Sequence, residues 1–456
     1  MVLFVGQIAR GHRDREAFQE VDYRAFFGPV AKWAAEVDQT DRLPEYINRA
    51  FHVALSGRPG PVVLALPEDM LSDVSGVPVL APTAPSGAGV DAGQIEQVFR
   101  ALSQAKKPLV IAGGSGWNAQ SSADLQRFAE AQGLPVAVPF RRQDIIDNRS
   151  ASYVGDLAVG MNPALAAQLK AADCLLVLGA RLGDIATGAY ELIDPAAPGK
   201  TILHVHPDPD LPGSVYRADL AITAQPARVL ERLVQAPRAG EWTAETGAGR
   251  AAYEAWQVPR ETPGAVKMER VVGWLNDTLL DDAILTNGAG NYAAWVHRYY
   301  RFRQNHTQLA PTSGSMGYGF PAAIAASLQH PDRTVVCFAG DGCFQMTLNE
   351  MSTAMQHGTK PIVIVCNNGR YGTIRMHQEK TYPGRVSGTD LTNPDFAALA
   401  RAYGAHGEVV TDDAEFAAAF GRAQAAGTLA VIELVLDPDM LSTGQSLSEA
   451  RAAAKP

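Results

Sequence analysis

The chain has 456 residues, with 39 Lys and Arg against 48 Asp and Glu, and a formal net charge of −9. At roughly 150 residues per domain, this length suggests about three domains. Hydrophobic residues at 46% and charged residues at 19% exclude a mainly disordered chain. The acidic balance argues against nucleic-acid binding, which wants a basic surface. No apolar run approaches the roughly 18 residues of a membrane span.

The first region runs over 1–75. Its opening stretch, MVLFVGQIARGHRDRE, is too short in apolar residues for a signal peptide. It closes on a strand expected at Val62–Leu66, between Pro and Gly punctuation. The stretch VPVLAPTAPSGAG then reads as a linker. The second region, 89–237, alternates strand-like runs such as PLVIAGG, DCLLVLG and TILHVH with helix-like stretches at 118–131, 163–171 and 226–234. That alternation predicts a parallel α/β sheet. Gly114-x-Gly116-x-x-Ala119 follows a strand there, and fits either a tight strand-to-helix turn or a dinucleotide fingerprint. The polar stretch RAGEWTAETGAGR marks a second boundary, and the third region, 263–456, repeats the α/β pattern.

Cys174, Cys337 and Cys366 sit in or at the end of apolar runs and read as small buried hydrophobes. Four cysteines in a chain this long are not a disulfide scaffold, and none shows zinc-ligand spacing, so a reduced, cytoplasmic protein is expected. His204 and His206 share one strand face but have no evident third ligand.

The chemistry concentrates between 333 and 375. Thr334–Ala339 is an unbroken apolar run, expected as a buried parallel strand that ends in Gly340-Asp341-Gly342. A helix should follow, capped by Thr347 with Glu350 and stopped at Gly358. Pro361–Cys366 forms a second such strand and ends in Asn367-Asn368-Gly369. Both strands deliver polar residues at their carboxyl ends, where open α/β sheets bind ligands. Asp341 and Asn368 offer hard oxygens suited to Mg²⁺ or Ca²⁺. Gly340 and Gly342 admit a phosphate close to the backbone. Together the two motifs read as a metal-bridged diphosphate site.

These paired motifs resemble the thiamin diphosphate signature, and the whole chain looks like a large subunit of the acetolactate synthase family. The resemblance implies three parallel-sheet α/β domains of the thiamin diphosphate-enzyme type, the first incomplete. By that likeness 1–75 is the C-terminal half of the pyrimidine domain, 89–237 the central Rossmann-like domain and 263–456 the diphosphate domain. Mg²⁺ would be held by Asp341, the Asn368 side chain and the Arg370 carbonyl. Gly340, Gly342, Cys343 and Tyr371 would border the diphosphate. Gly288 and Asn291 are weaker correspondences, because Ala289-Gly290 replaces the family's Gln-His pair. Thr312–Gly317 resembles the loop that grips the aminopyrimidine. There the Gly314 carbonyl and Ser315 would contact the ring, and Met316 would be the wedge that bends the cofactor; without the family Met316 reads as core. Phe18 and Gln19 resemble residues that meet the second substrate. His377 stands where synthases carry a Trp, and is a candidate proton donor. Arg181, in Ala180–Asp184, resembles a residue that touches FAD, so the likeness admits FAD as a further cofactor.

The implied reaction is decarboxylation of a small 2-oxo acid with carboligation, two pyruvates giving 2-acetolactate and CO₂ in branched-chain amino acid biosynthesis. A homodimer or homotetramer is also implied. No residue matches the family's glutamate that protonates the pyrimidine: Glu16 and Glu20 lie outside its motif. The resemblance then implies that the chain is a fragment or a variant that activates the cofactor differently. Two alternatives remain, a simple 2-oxo acid decarboxylase of the benzoylformate or indolepyruvate type, and a non-catalytic cofactor-binding homologue.

Overall fold

The computed structural model describes residues 1–81, 83 and 87–454. Residues 82 and 84–86 of the expected linker lie outside the described residues. Three parallel sheets carry the chain. The first holds β1 (Val2–Gln7), β2 (Trp33–Glu36) and β3 (Val62–Pro67), in the order β1-β3-β2. The helix Leu43–Leu55 buries Ala50 and Ala54 against this sheet.

The second sheet contains β4 (Pro108–Ala112), β5 (Val136–Pro139), β6 (Tyr153–Leu157), β7 (Cys174–Leu178), β8 (Thr201–His206) and β9 (Leu220–Thr223). Its order is β6-β5-β4-β7-β8-β9. The chain therefore winds outward from β4 in one direction and returns to wind outward from β7 in the other. Crevices open at such reversals, at the carboxyl ends of the two central strands. β4 and β7 are buried throughout, as their unbroken apolar runs require. Asn118 caps the helix Ala119–Gln132 reciprocally with Ser121, one residue from where the sequence places its start. Between strand and helix, Gly114 has φ +75°, and a Cβ there would lie 1.9 Å from the Gly179 carbonyl oxygen. The Gly-x-Gly-x-x-Ala motif is thus used as a tight turn against the end of β7.

The third sheet contains β10 (Ile284–Asn287), β11 (Gln308–Leu309), β12 (Val335–Gly340), β13 (Ile362–Asn367), β14 (His406–Val410) and β15 (Ala430–Val435). Its order, β11-β10-β12-β13-β15-β14, reverses between β10 and β12. The ends of those two strands carry Gly288 and Gly340-Asp341. Val336, Phe338, Ile364 and Ile432 pack on one face of the sheet, and Cys337, Val363, Val365 and Val431 on the other. All four cysteines are buried and free.

Local structure departs from the sequence reading at two places. The RAGEWTAETGAGR stretch, expected to mark a boundary, is not irregular: its second half enters the helix Thr243–Trp256. Trp242 and Tyr253 are buried in the core of the second sheet, and the Thr246 hydroxyl donates to the Gly133 carbonyl at 2.6 Å. A Cβ at Gly249 would meet Gln168 and Val154 at 2.8 Å, so glycine here permits packing and does not mark flexibility. The expected capping box also fails to form. Thr347 precedes a short 3-10 turn, and its hydroxyl donates to the Gly317 carbonyl at 3.0 Å. Glu350 instead accepts from Thr353 at 2.6 Å.

The second and third sheets are joined by paired polar contacts. Asn148 N–H donates to the Phe302 carbonyl at 2.8 Å, and its Oδ1 accepts from Phe302 N–H at 2.9 Å. Gln143 N–H donates to Gln308 Oε1 at 2.8 Å, and His306 N–H donates to the Asp144 carboxylate at 2.9 Å. This seam holds 143–148 against β11 and the segment that leads into it.

Gly114→Ala is expected to destabilise the chain by about 3 kcal/mol, combining left-handed strain with a backbone clash. Denaturant unfolding checks this. An unchanged midpoint would mean that the turn yields without cost.

Candidate active site

At the reversal of the third sheet, one cavity brings together Gly290, Asn291, Tyr292, Trp295, Met316, Gly340–Cys343, Asn368, Arg370–Ile374, Met440 and Leu441. Asp341 sits at its base. Its carboxylate accepts from Gly342 N–H at 2.9 Å, from Gly369 N–H at 2.9 Å and from Asn393 Nδ2 at 2.8 Å. Burial pushes its pKa above the ordinary carboxylate value, while these donors pull the other way. The three donors tie the end of β12 to the turn after β13. Asn393 also donates to Asn367 Oδ1 at 2.8 Å, and Asn367 Nδ2 donates to the buried Glu433 at 2.7 Å.

The glycines let the segments around the cavity pack closely. A Cβ at Gly342 would strike the Tyr371 ring at 2.6 Å, and one at Gly288 would strike Cys343 Sγ at 2.3 Å. Cys343 Sγ accepts from Gly317 N–H at 3.1 Å and from the Tyr292 hydroxyl at 3.4 Å. It thereby joins the short helix Asp341–Phe344 to the loops after β10 and β11. Met316 packs on the adjoining core and lines the cavity. Gly314 and Ser315 are exposed at the rim, with Ser313 and Ser315 hydroxyls 2.9 Å apart. Asn291 accepts from the Thr373 hydroxyl at 2.9 Å.

This donor set fits a hard divalent cation with a phosphate. One carboxylate, one amide and one carbonyl leave the remaining positions of an octahedron to phosphate and water. Among the described residues, no group of three or more His, Cys, Asp or Glu residues forms a metal cluster. The paired histidines are accounted for separately. His204 Nε2 lies 2.8 Å from the Ala180 carbonyl, and His206 Nδ1 lies 3.0 Å from Asp208 N.

Other residues singled out in the sequence lie elsewhere. Phe18 is 88% exposed, and Gln19 has φ +69° in a loop held by Glu20, which accepts from Asp14 N–H and Ala17 N–H. Neither lines the cavity. His377 is exposed on the helix Gly372–Thr381 and also lies outside the lining. The neighbouring Met376 faces inward on that helix and packs with Leu441, Leu447 and Ala450. Sequence reasoning missed Asn393 and Trp295. Asn393 lies two residues before Asp395, which caps the following helix, so its site contact looks like ordinary loop chemistry in the sequence.

A second cleft opens at the reversal of the second sheet, with a volume of about 520 Å³. Gly114, Gly179 and Ala180 form its floor, and Arg58, Arg142, Arg181, Asp184, His206 and Ser313 line it.

Two family models match the chain. "Thiamine pyrophosphate enzyme, central domain" covers 95–233, and "Thiamine pyrophosphate enzyme, C-terminal TPP binding domain" covers 288–434. The fold is that of this enzyme class. The acetolactate synthase large subunit of Corynebacterium glutamicum is 31% identical over 99% of this chain and 76% of its own length. That of Haemophilus influenzae is 31% identical over 91% and 74%. Isozyme 3 large subunit of Escherichia coli is 31% identical over 89% and 73%. The chain belongs to the acetolactate synthase large-subunit family of thiamine pyrophosphate enzymes.

The C-terminal segment closes the cavity's outer side. Glu379 is fully buried, pairs with Arg451 and accepts from Gly384 N–H at 2.7 Å. The Arg451 guanidinium holds its pKa at about 2, against an ordinary 4.5. The depressed value means that the pair stabilises fully above pH 4.5 and loses its contribution as pH falls toward 2. Arg451→Ala should therefore free the helix Leu447–Ala453, seen as faster proteolysis of 437–454 at neutral pH. The wild-type segment should loosen only on acidification below 4.5. Equal cleavage of both proteins at neutral pH would contradict this role.

Proposed function

We propose that the chain is a thiamin diphosphate- and Mg²⁺-dependent, acetolactate synthase-like enzyme that decarboxylates a 2-oxo acid and joins the product to a second carbonyl compound. The supporting observation is the convergence of Asp341, Asn368 and Arg370 on one glycine-lined cavity that Met316 also enters. Asp341, the Asn368 amide and the Arg370 carbonyl hold the metal. Gly340, Gly342, Cys343 and Tyr371 bound the diphosphate, Asn291 lines the same cavity, and Gly288 backs Cys343 from outside the lining. The Gly314 carbonyl, Ser315 and Met316 orient the pyrimidine. The cofactor, when bound, supplies an electron sink for loss of CO₂. The protein's own part is to bind, bend and shield it.

The three regions 1–75, 89–237 and 263–456 are assigned as the latter half of a pyrimidine domain, a central domain and a diphosphate domain. The cavity has about 90 Å³ of free volume, far below the roughly 300 Å³ lower limit of ordinary small-molecule pockets. It suits a metal with phosphates, and the remainder of the cofactor must be covered from outside. Phe4 and Phe26 in the first region are 47% and 67% exposed. Both features support a homodimer or homotetramer in which Phe18 and Gln19 of one copy face the cofactor of another. His377 would reach substrate only in such an assembly. Among the described residues no helix is long and apolar enough to cross a membrane. With four free, buried cysteines, this supports a cytoplasmic setting.

The second cleft is proposed for FAD. Arg58, Arg142 and Arg181 would hold its phosphates, and the cleft's size suits a dinucleotide portion. Burial lowers the pKa of His206 there, with Arg58 and Arg181 adding to the effect and Asp208 opposing it.

The direct test supplies the full-length protein with pyruvate, thiamin diphosphate and Mg²⁺. 2-Acetolactate is expected; acetaldehyde as the sole product would replace the carboligase with a decarboxylase. Cofactor binding without turnover would favour a non-catalytic homologue. Asp341→Ala should abolish Mg²⁺-dependent cofactor binding, since the site loses its one carboxylate. An unchanged calorimetric titration would remove Asp341 from the metal site.

A further inference from the structure

Arg141 is an anomaly that the cavity description leaves unexplained. It is 5% exposed, yet it lies at the seam between the second and third sheets. Among the described residues, no carboxylate pairs with it; its partners are two backbone carbonyls. Its Nε is buried without a hydrogen-bond partner. Arginine stays protonated in proteins, so the charge is fixed. The backbone is also held at φ +61°, a left-handed conformation that a long side chain rarely adopts. A buried unpaired cation and a strained backbone at one residue are both costly, and such costs concentrate where function needs a fixed geometry.

What the guanidinium does hold is specific. One terminal nitrogen donates to the Pro311 carbonyl, and the other donates to the Gly288 carbonyl at 3.1 Å. Gly288 opens the loop that leads to Asn291 and Tyr292. Pro311 opens the loop that leads to Gly314 and Met316, and its carbonyl also accepts from Gly314 N–H at 3.0 Å. The planar fork thus spans the starts of both loops. The Phe140 ring supports it from the side, 4.4 Å from the guanidinium carbon. Among the described residues, Arg141 alone donates from the second sheet to both carbonyls.

We propose that Arg141 is a positioning residue, which sets the spacing of the Gly288 and Pro311 loops so that the pyrimidine half of thiamin diphosphate can be gripped. This rests on the functional reading above. Arg141 acts through the two carbonyls and is not among the residues lining the cavity of Asp341, Asn368 and Arg370. Its loss should therefore separate the two halves of the cofactor.

The test titrates the full-length wild type, Arg141→Met and Arg141→Lys by calorimetry, once with thiamin diphosphate and Mg²⁺ and once with inorganic diphosphate and Mg²⁺. Arg141→Met should weaken thiamin diphosphate binding at least 10-fold while leaving inorganic diphosphate binding unchanged. Arg141→Lys, which keeps the charge without the fork, should recover part of the loss. Unchanged thiamin diphosphate affinity in Arg141→Met would overturn the proposal while the functional reading stands. A parallel loss of both ligands would also overturn it, by showing a general structural role. A wild type that bound neither ligand would overturn the functional reading and this inference with it.

Discussion

The site depends on one buried carboxylate. Asp341 lies at the end of a strand buried on both sides, where an uncompensated charge is strongly disfavoured. Three donors, Gly342 N–H, Gly369 N–H and Asn393 Nδ2, keep it satisfied. Each comes from a different segment, so satisfying Asp341 also fixes the turn after β13 and the loop before the helix Phe396–Ala402. A divalent cation would complete this compensation by supplying the opposite charge. Metal binding and local order are in this way one physical problem.

The sheet topology explains why the carboxylate is reachable at all. The strand order reverses between β10 and β12 in the third sheet and between β4 and β7 in the second. Each reversal splays the following loops apart and leaves a crevice. The third-sheet crevice is lined by hard oxygens and glycine backbone. The second is lined by three guanidiniums. The same architecture thus forms one crevice of hard oxygens and one of guanidiniums, which the proposed function assigns to a metal with phosphates and to a larger anionic ligand. The polar seam at Gln143, Asp144 and Asn148 fixes the two crevices relative to each other.

The sequence made the central βαβ unit legible because burial on both faces writes an unbroken apolar run. Thr334–Ala339 and Pro361–Cys366 correspond to β12 and β13 within one residue at each end. Gly340-Asp341-Gly342 and Asn368 could be placed at the carboxyl ends of those strands for the same reason; either motif alone also reads as a plain turn, and only the pair points to a site. Tertiary partners were not readable. Thr347 and Glu350 have the spacing of a capping box, but a longer-range acceptor, the Gly317 carbonyl, takes the Thr347 hydroxyl. RAGEWTAETGAGR has linker composition, but Trp242 and Tyr253 bury enough apolar surface to fold it onto the second sheet. Arg141 and Asn393 carry no local signal, because their partners lie far away in the chain.

Locating the metal tests the account's central claim most directly. Crystals of the full-length protein grown with thiamin diphosphate and Mn²⁺ in place of Mg²⁺ would give an anomalous peak. The account predicts that peak at about 2.1 Å from the Asp341 carboxylate, Asn368 Oδ1 and the Arg370 carbonyl, the octahedral distance for a small divalent cation. A peak away from Asp341, or diphosphate bound with no metal at that carboxylate, would contradict it.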